Sequence, residues 1–153
     1  MREHRTLIVS LLIPLATGAC SALLTRGQWQ LYRSLRLPAL APKPWVFPLV
    51  WTVLYLLMGY GCWLCLEAPA SSRTPALLLY AAQLVLNFCW PILFFNQQEW
   101  FAALLLLIAL LMVTVVMTIT FRQCRKLAGW LQIPYCLWLV FALYLNWMIF
   151  LQN

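Results

Sequence analysis

Residues 100–121 read WFAALLLLIALLMVTVVMTITF and contain no charged side chain. A helix needs about 20 apolar residues to cross the hydrocarbon core of a bilayer. Four further uncharged, largely apolar runs occupy residues 6–25, 45–66, 75–95 and 128–151. Charge is confined to the N-terminal residues and to the connectors between the runs. The pattern predicts five transmembrane helices in a single domain of residues 1–153.

The composition indicates the same class of protein. Of the 153 residues, 65% are hydrophobic and only 8% are charged, whereas a soluble domain is about half apolar and about a quarter charged. Water cannot solvate so much apolar surface on so short a chain. We therefore expect an all-α, multi-pass integral membrane protein that forms a bundle of five helices. The lipid bilayer is its expected partner.

Acidic and imidazole groups are scarce. The chain has three glutamates, no aspartate and one histidine, His4, and all four of these side chains lie outside the apolar runs. Hydrolases and metalloenzymes need a buried carboxylate or imidazole, so we predict no catalytic residue, no metal ligand and no required cofactor. The net charge of the chain is +7. Its basic residues lie near the N-terminus and in the connectors, where they would meet lipid head groups, and they form no nucleic-acid-binding motif. This argues against a nucleic-acid partner.

The first run and the orientation each leave an alternative open. Arg2 and Arg5 precede an apolar stretch that resembles a secretory signal, although its length favours a retained span. The side that holds the N-terminus carries six Lys and Arg residues, and the opposite side carries four. This weak positive-inside bias favours a cytoplasmic N-terminus only slightly, so the orientation is not determined.

The first connector, residues 26–44, is long and amphipathic. Loops longer than about 12–15 residues in a compact protein are usually functional or disordered. This one places four cations among aromatic and leucine side chains, namely Arg26, Arg33, Arg36 and Lys43. It is expected either to fold over the bundle as a lid or to anchor in the membrane interface.

Three runs carry stripes of aromatic and polar side chains. In the third run, positions spaced by three and four residues fall on one helical face, namely Tyr80, Gln83, Asn87, Trp90 and Phe94. The second and fifth runs give similar stripes, namely Trp51, Tyr55, Met58 and Cys62, and Tyr135, Trp138, Ala142 and Asn146. An interior of aromatic rings with a few polar groups is typical of a site for a flat organic ligand. The alternative is a packing seam in which amides join the helices.

Three stretches also resemble a known family. Residues 45–60 (WVFPLVWTVLYLLMGY), 86–95 (LNFCWPILFF) and 133–146 (IPYCLWLVFALYLN) resemble the second, third and fifth helices of the translocator-protein family. Its members are also called tryptophan-rich sensory proteins or peripheral benzodiazepine receptors. The matches occur in the family's order and spacing, and together with the five spans they cover nearly the whole chain.

The resemblance implies a receptor or sensor that binds a protoporphyrin-type tetrapyrrole inside the bundle and regulates a tetrapyrrole or stress response. Pocket positions carried over from the family are Trp45, Trp51, Tyr55, Asn87, Trp90, Phe94, Trp138, Ala142 and Asn146. The four connector cations would then pair with the ligand's carboxylates. A homodimer is a further implication. Alternatives drawn from relatives are light-dependent porphyrin degradation and transport of tetrapyrroles or sterols.

Two departures from the family pattern matter. The family's first loop usually reads Pro-x-Trp-x-Pro-Pro-x-Trp, whereas residues 38–45 read PALAPKPW, so Leu40 replaces a Trp and Lys43 replaces a Pro. No Lys or Arg follows Tyr144 in the last run, so the basic end of the animal members' cholesterol pattern is absent. We therefore expect different lid chemistry and a weaker case for sterols.

Overall fold

The structure, a computed structural model, describes residues 2–153 apart from the side chains of Arg2 and Trp29. Its helices are α1 (Arg2–Leu24), α2 (Trp29–Ser34), α3 (Val46–Leu66), α4 (Ala70–Pro91), α5 (Trp100–Cys124), α6 (Lys126–Trp130) and α7 (Ile133–Gln152). No strand occurs among these described residues. Five segments are long and apolar enough to cross a membrane. The predicted all-α, five-span architecture is confirmed.

The third span begins earlier than its apolar run. We predicted a start near residue 75, but α4 starts at Ala70. The backbone N–H groups of Ser72 and Arg73 donate to the carbonyl of Pro69 at 3.1 and 2.9 Å. The first turn thus forms among polar residues, which an apolar-run criterion does not count.

The same span ends in a π-helical turn. Pro91 lacks a backbone donor and its ring crowds the preceding turn, and the chain continues from it as a π-helix, Ile92–Asn96. Gln97 accordingly donates its N–H to the carbonyl of Ile92, five residues earlier, at 3.0 Å. Phe94 lies in this turn and is almost fully buried. Such turns are frequent at functional sites.

The predicted fifth span is present as Lys126–Gln152, and it contains a break between two helices. Its run of residues 128–151 is divided between α6 and α7 by a turn at Leu131 and Gln132. The buried Gln132 side chain donates to the carbonyl of Ala128 at 3.3 Å, and Gly129 lies so close to Arg122 that a Cβ atom would meet its backbone. This close approach turns the chain sharply from α5 into the last span.

Two glycine contacts bring α1 onto α3. A Cβ atom at Gly59 would lie 2.5 Å from the carbonyl oxygen of Ser10 and 2.8 Å from the Cα of Leu11. A Cβ atom at Gly18 would collide with the ring of Tyr55. Small residues let transmembrane helices approach this closely, and α1 contacts α3 more extensively than it contacts α4.

The core lies between α3, α4, α5 and α7. Its most deeply buried side chains include Met58, Leu107, Leu110, Met117, Phe121, Tyr135 and Leu139. Cys62 and Cys65 belong to the same core, and both thiols are free. Many large apolar side chains remain exposed on the outer faces of the spans, as a surrounding bilayer requires.

Candidate functional site

A chain of buried hydrogen bonds joins α3, α4 and α7. The Tyr55 hydroxyl donates to Asn87 Oδ1 at 3.0 Å, and Asn87 Nδ2 donates to the Tyr135 hydroxyl at 2.8 Å. The Tyr135 hydroxyl donates in turn to Gln83 Oε1 at 3.0 Å. Gln83 Nε2 reaches Met58 Sδ at 3.8 Å. Because buried polar groups need partners, this chain fixes the orientation of Asn87.

A second polar link joins α4, α5 and α7. Trp90 Nε1 donates to Asn146 Oδ1 at 3.1 Å, and Asn146 Nδ2 donates to the carbonyl of Trp100 at 2.9 Å. The ring of Trp90 also stacks on Phe94, with the centroids 5.0 Å apart and the planes 30° from parallel. Asn146 is thus fully engaged, and it holds the Trp90 indole in one orientation.

These two links lie beside an enclosed aromatic cavity of about 40 Å³. It is lined by Tyr32, Phe47, Trp51, Asn87, Trp90, Phe94, Phe95, Leu107, Leu110, Trp138, Ala142, Leu145, Asn146 and Ile149. Seven of the nine predicted pocket residues are among them. Part of each stripe faces this cavity, whereas Tyr80 and Cys62 line a different groove.

Edge-to-face contacts set the shape of the cavity. The rings of Trp51 and Trp138 lie 6.4 Å apart with their planes 86° from parallel, and Phe47 meets Trp138 at 6.0 Å and 76°. Trp51 also meets Tyr135 at 6.1 Å. This arrangement is favourable for aromatic quadrupoles. In each edge-to-face pair, part of one ring face is covered only by the edge of the other ring. A ligand that separates the two rings would gain contact with that face.

The first connector lies over this end of the bundle. The buried ring of Tyr32 packs on Phe47 at a centroid distance of 5.5 Å, and its hydroxyl donates to the carbonyl of Pro42 at 3.2 Å. Burial raises the pKa of the Tyr32 hydroxyl above its usual value. Leu35 and Leu37 pack on the cluster around Phe94. Of the connector residues, Tyr32 lines the cavity, and Leu35 and Leu37 pack beside it.

The end of the chain holds the connector in place. The backbone N–H of Arg36 donates to Asn153 Oδ1 at 2.9 Å, and Asn153 Nδ2 donates back to the carbonyl of Arg36 at 3.2 Å. Both hydrogen bonds are exposed. They join the connector to the end of α7.

Some predicted site residues lie elsewhere. Trp45 is 64% exposed where α3 begins and is not among the residues that line the cavity. Tyr55 touches the cavity only indirectly, through Asn87. The predicted lid cations are all exposed, and the cavity lining includes none of Arg26, Arg33, Arg36 and Lys43.

Sequence reasoning did not place several lining residues in the site. Tyr32 and Phe47 lie outside the three stripes, although both are large aromatic residues next to the predicted pocket in sequence. Phe95 lines the cavity beside Phe94 because the π-helical turn changes the angle between successive side chains. Pro91 was the available signal for that turn.

A larger groove adjoins the cavity on the side of α1. It has a volume of about 480 Å³. Its lining comprises Leu15, Gly18, Ala19, Ser21, Ala22, Thr25, Phe47, Pro48, Trp51, Thr52, Tyr55, Asn87, Trp90, Pro91 and Phe95. Five residues line both spaces, namely Phe47, Trp51, Asn87, Trp90 and Phe95. The two indoles therefore form the boundary between the cavity and the groove together with two phenylalanine rings and one amide.

The cavity lining is mostly apolar and aromatic, with a few hydrogen-bonding groups. It offers amide, indole and phenol groups but no carboxylate, imidazole or thiol. No cluster of three His, Cys, Asp or Glu side chains that could hold a metal occurs in the part of the chain that the structure describes. The residues present suit a flat apolar molecule oriented by a few hydrogen bonds.

Fold and site together define a multi-pass integral membrane protein with an aromatic cavity between its helices. The sequence profile described as the TspO/MBR family matches residues 10–151, and the chain belongs to that family. The resemblance drawn from three stretches of sequence is thereby confirmed.

Relatives from three kinds of organism agree with this membership. The chain is 34% identical over 148 residues to tryptophan-rich protein TspO of Archaeoglobus fulgidus, covering 96% of each chain. It is 34% identical over 146 residues to the translocator protein of Bos taurus, covering 93% of this chain and 86% of the relative. It is 35% identical over 133 residues to the tryptophan-rich sensory protein of Cereibacter sphaeroides, covering 87% of this chain and 80% of the relative.

Proposed function

We propose that this membrane receptor binds a protoporphyrin-type tetrapyrrole between α3, α4 and α7 and senses its level for a tetrapyrrole or stress response. The supporting observation is the convergence of Trp51, Trp90 and Trp138 on one interior cavity with the amides of Asn87 and Asn146. A tetrapyrrole is a large flat π-system, and indole faces can stack on it. The amides would orient its polar groups.

The size of the cavity sets a condition on binding. Ligand pockets commonly measure about 300–1,000 Å³, whereas the enclosed cavity measures about 40 Å³. The adjoining groove adds about 480 Å³ on the far side of Trp51 and Trp90. Rotation of these indoles would merge the two spaces into one of sufficient size. The ligand would then occupy both, with the indoles against its faces.

The first connector would act as a lid on this site. Tyr32 already covers the cavity, and Arg33 and Arg36 lie exposed nearby in the same segment. A tetrapyrrole carries carboxylates, which form strong hydrogen bonds with guanidinium groups. We expect these cations to bind the carboxylates at the membrane surface while the ring lies inside the bundle.

The test is a titration of detergent-purified protein with protoporphyrin, followed by the absorbance of the bound pigment. The Trp90→Phe/Trp138→Phe variant removes two indoles from the cavity, and Trp130→Phe is the matched control because Trp130 is exposed and outside the cavity lining. We expect saturable binding that weakens only in the double variant, with helical content unchanged by circular dichroism. Unsaturable binding identical in all three proteins would refute the assignment.

A further inference from the structure

A separate groove lies at the opposite end of the bundle from the first connector. It measures about 590 Å³. Its lining comprises Arg5, Thr6, Val9, Ser10, Ile13, Cys62, Leu66, Leu77, Tyr80, Ala81 and Leu84. These residues come from the start of α1, the end of α3 and the first half of α4. None of them lines the candidate ligand cavity or its adjoining groove.

The packing of α1 creates this groove. The backbone contact between Gly59 and Ser10 holds α1 tightly on α3, while α1 meets α4 less extensively. Space therefore remains between the first half of α1 and α4. Val9 and Ile13 form one wall and are about half exposed, and Leu77 and Leu84 form the other. These walls suit a hydrocarbon chain.

Two guanidinium groups lie at the mouth of the groove. Arg5 lines it directly and is exposed. Arg73 donates from Nη1 to the carbonyl of Leu66, a lining residue, at 3.1 Å. Arg125 and Lys126 lie on the same side of the bundle, between α5 and the last span. The four cations named here outnumber the two carboxylates at this end of the bundle, Glu3 and Glu67, so the mouth carries a net positive charge, and the interior of the groove is apolar.

A buried polar group forms part of the groove wall. Tyr80 is only 5% exposed, and its hydroxyl has no hydrogen-bond partner. A polar group buried without a partner costs free energy. The hydroxyl oxygen is inaccessible, so Tyr80 contributes the surface of its ring to the groove wall.

We propose that this groove binds an anionic phospholipid from the leaflet on the N-terminal side. Its phosphate lies between Arg5 and Arg73, and one acyl chain runs along Val9, Ile13 and Leu84. Basic pockets between transmembrane helices bind anionic head groups in this way. A second copy of the chain suits the groove less well, because it would bring its own basic mouth to the same face.

The head-group contact is tested by native mass spectrometry of purified protein with dioleoyl phosphatidylglycerol or dioleoyl phosphatidylcholine. We expect retention of the anionic lipid to fall about fivefold for each arginine removed in Arg5→Gln/Arg73→Gln. The control Arg125→Gln/Lys126→Gln removes the same charge outside the groove lining. Equal losses in the two variants would overturn the proposal in favour of general surface attraction.

The groove itself is tested without changing charge. Ala81→Trp would fill it, whereas Ala82→Trp places the same side chain on an adjacent exposed position that does not line it. We expect loss of phosphatidylglycerol only in Ala81→Trp. Unchanged retention there would overturn the proposal. The proposal would also be overturned if the protein formed a dimer that Ala81→Trp dissociates without loss of lipid. Retention of oleic acid in place of the phospholipid would overturn it as well.

Discussion

The indole N–H of Trp90 donates to the side-chain oxygen of Asn146 at 3.1 Å, and the amide nitrogen of the same Asn146 donates to the carbonyl of Trp100. One side chain of the last span thus holds a ring of the third span and the first turn of the fourth. The link places the Trp90 indole where it lines both the cavity and the groove beside α1. The strength of this hydrogen-bonded link can therefore be measured through the stability of the fold and through the affinity for a ligand.

Replacing Asn146 by Leu should weaken the fold and the site together. The Trp90 indole and the Trp100 carbonyl lose their partners, which costs about 1–2 kcal/mol in a membrane bundle. We expect a lower thermal midpoint in detergent and weaker protoporphyrin binding. In a double-mutant cycle with Trp90→Phe, the coupling should be about 0.6 kcal/mol or more. Strict additivity would mean that the hydrogen bond contributes nothing.

The two tyrosines of the polar chain should differ in their effect on stability. Tyr135→Phe removes both an acceptor for Asn87 and a donor for Gln83, whereas Tyr55→Phe removes only a donor. We expect a loss of about 1–3 kcal/mol in the first case and about 0.5–1.5 kcal/mol in the second. Unfolding of each variant by denaturant in detergent measures its free energy of unfolding, and the two losses can then be compared. The reverse order would contradict the chain of bonds described here.

Gly59 should be intolerant of any side chain. A methyl group there meets the backbone of Ser10, which cannot move unless α1 shifts, and overpacking of this kind costs about 1–3 kcal/mol. Gly61 is the comparison in the same helix, because its methyl group would meet the end of the Gln132 side chain, which can move by giving up its 3.3 Å hydrogen bond to Ala128, whereas the Ser10 backbone has no such freedom. We expect Gly59→Ala to lower the thermal midpoint more than Gly61→Ala does. Equal effects would argue against the close α1–α3 contact.

Alkaline pH should loosen the first connector. Burial raises the pKa of Tyr32 in the folded protein, so the unfolded or detached connector loses the proton first. The contribution of Tyr32 to docking is complete below a pH of about 10, the ordinary tyrosine value, and is lost as pH rises above it. Proteolysis of the connector, followed across this range, should accelerate in the parent protein.

The Tyr32→Phe variant isolates this effect, because it keeps the ring and removes the titrating hydroxyl. Lys43→Gln is the companion control, since it changes another side chain of the connector and leaves the Tyr32 hydroxyl in place. The acceleration should disappear in Tyr32→Phe and persist in Lys43→Gln. An acceleration that persists in Tyr32→Phe would show that the Tyr32 hydroxyl does not cause the alkaline transition.

The connector cations should contribute to the affinity for carboxylated porphyrins. Arg33→Gln/Arg36→Gln is expected to weaken protoporphyrin binding severalfold, with a smaller effect at high salt, because exposed charges are screened. The dimethyl ester of protoporphyrin lacks the carboxylates and should bind the parent and the variant equally. An equal loss of affinity for the ester would show that the substitutions act on the fold of the connector instead.

The sequence was sufficient to predict the five spans and seven of the fourteen residues that line the cavity. Uncharged runs define transmembrane helices because the bilayer excludes charge, and the helical period places Asn87 and Trp90 on one face. The same period alone does not distinguish a packing seam from a site. In the structure, Asn87 belongs to both, since it bonds to two tyrosines and lines the cavity.

Features that depend on local backbone geometry were not predictable in this way. The break at Gln132 arises from a side chain that caps the carbonyl of Ala128 inside an otherwise apolar run. The burial of Tyr32 depends on how the connector folds, which no periodicity describes. Trp45 is a tryptophan at a family pocket position, yet the start of α3 directs it outward.

The paired amide contacts between Arg36 and Asn153 have a consequence for how easily the site can be entered. Both bonds are exposed, so water replaces them at a net cost of only about 0.5–1.5 kcal/mol each. They set the register of the connector on the last helix and contribute little to its attachment. Most of the resistance to moving the connector therefore comes from apolar contacts, those of Tyr32 with Phe47 and those of Leu35 and Leu37 with the cluster around Phe94.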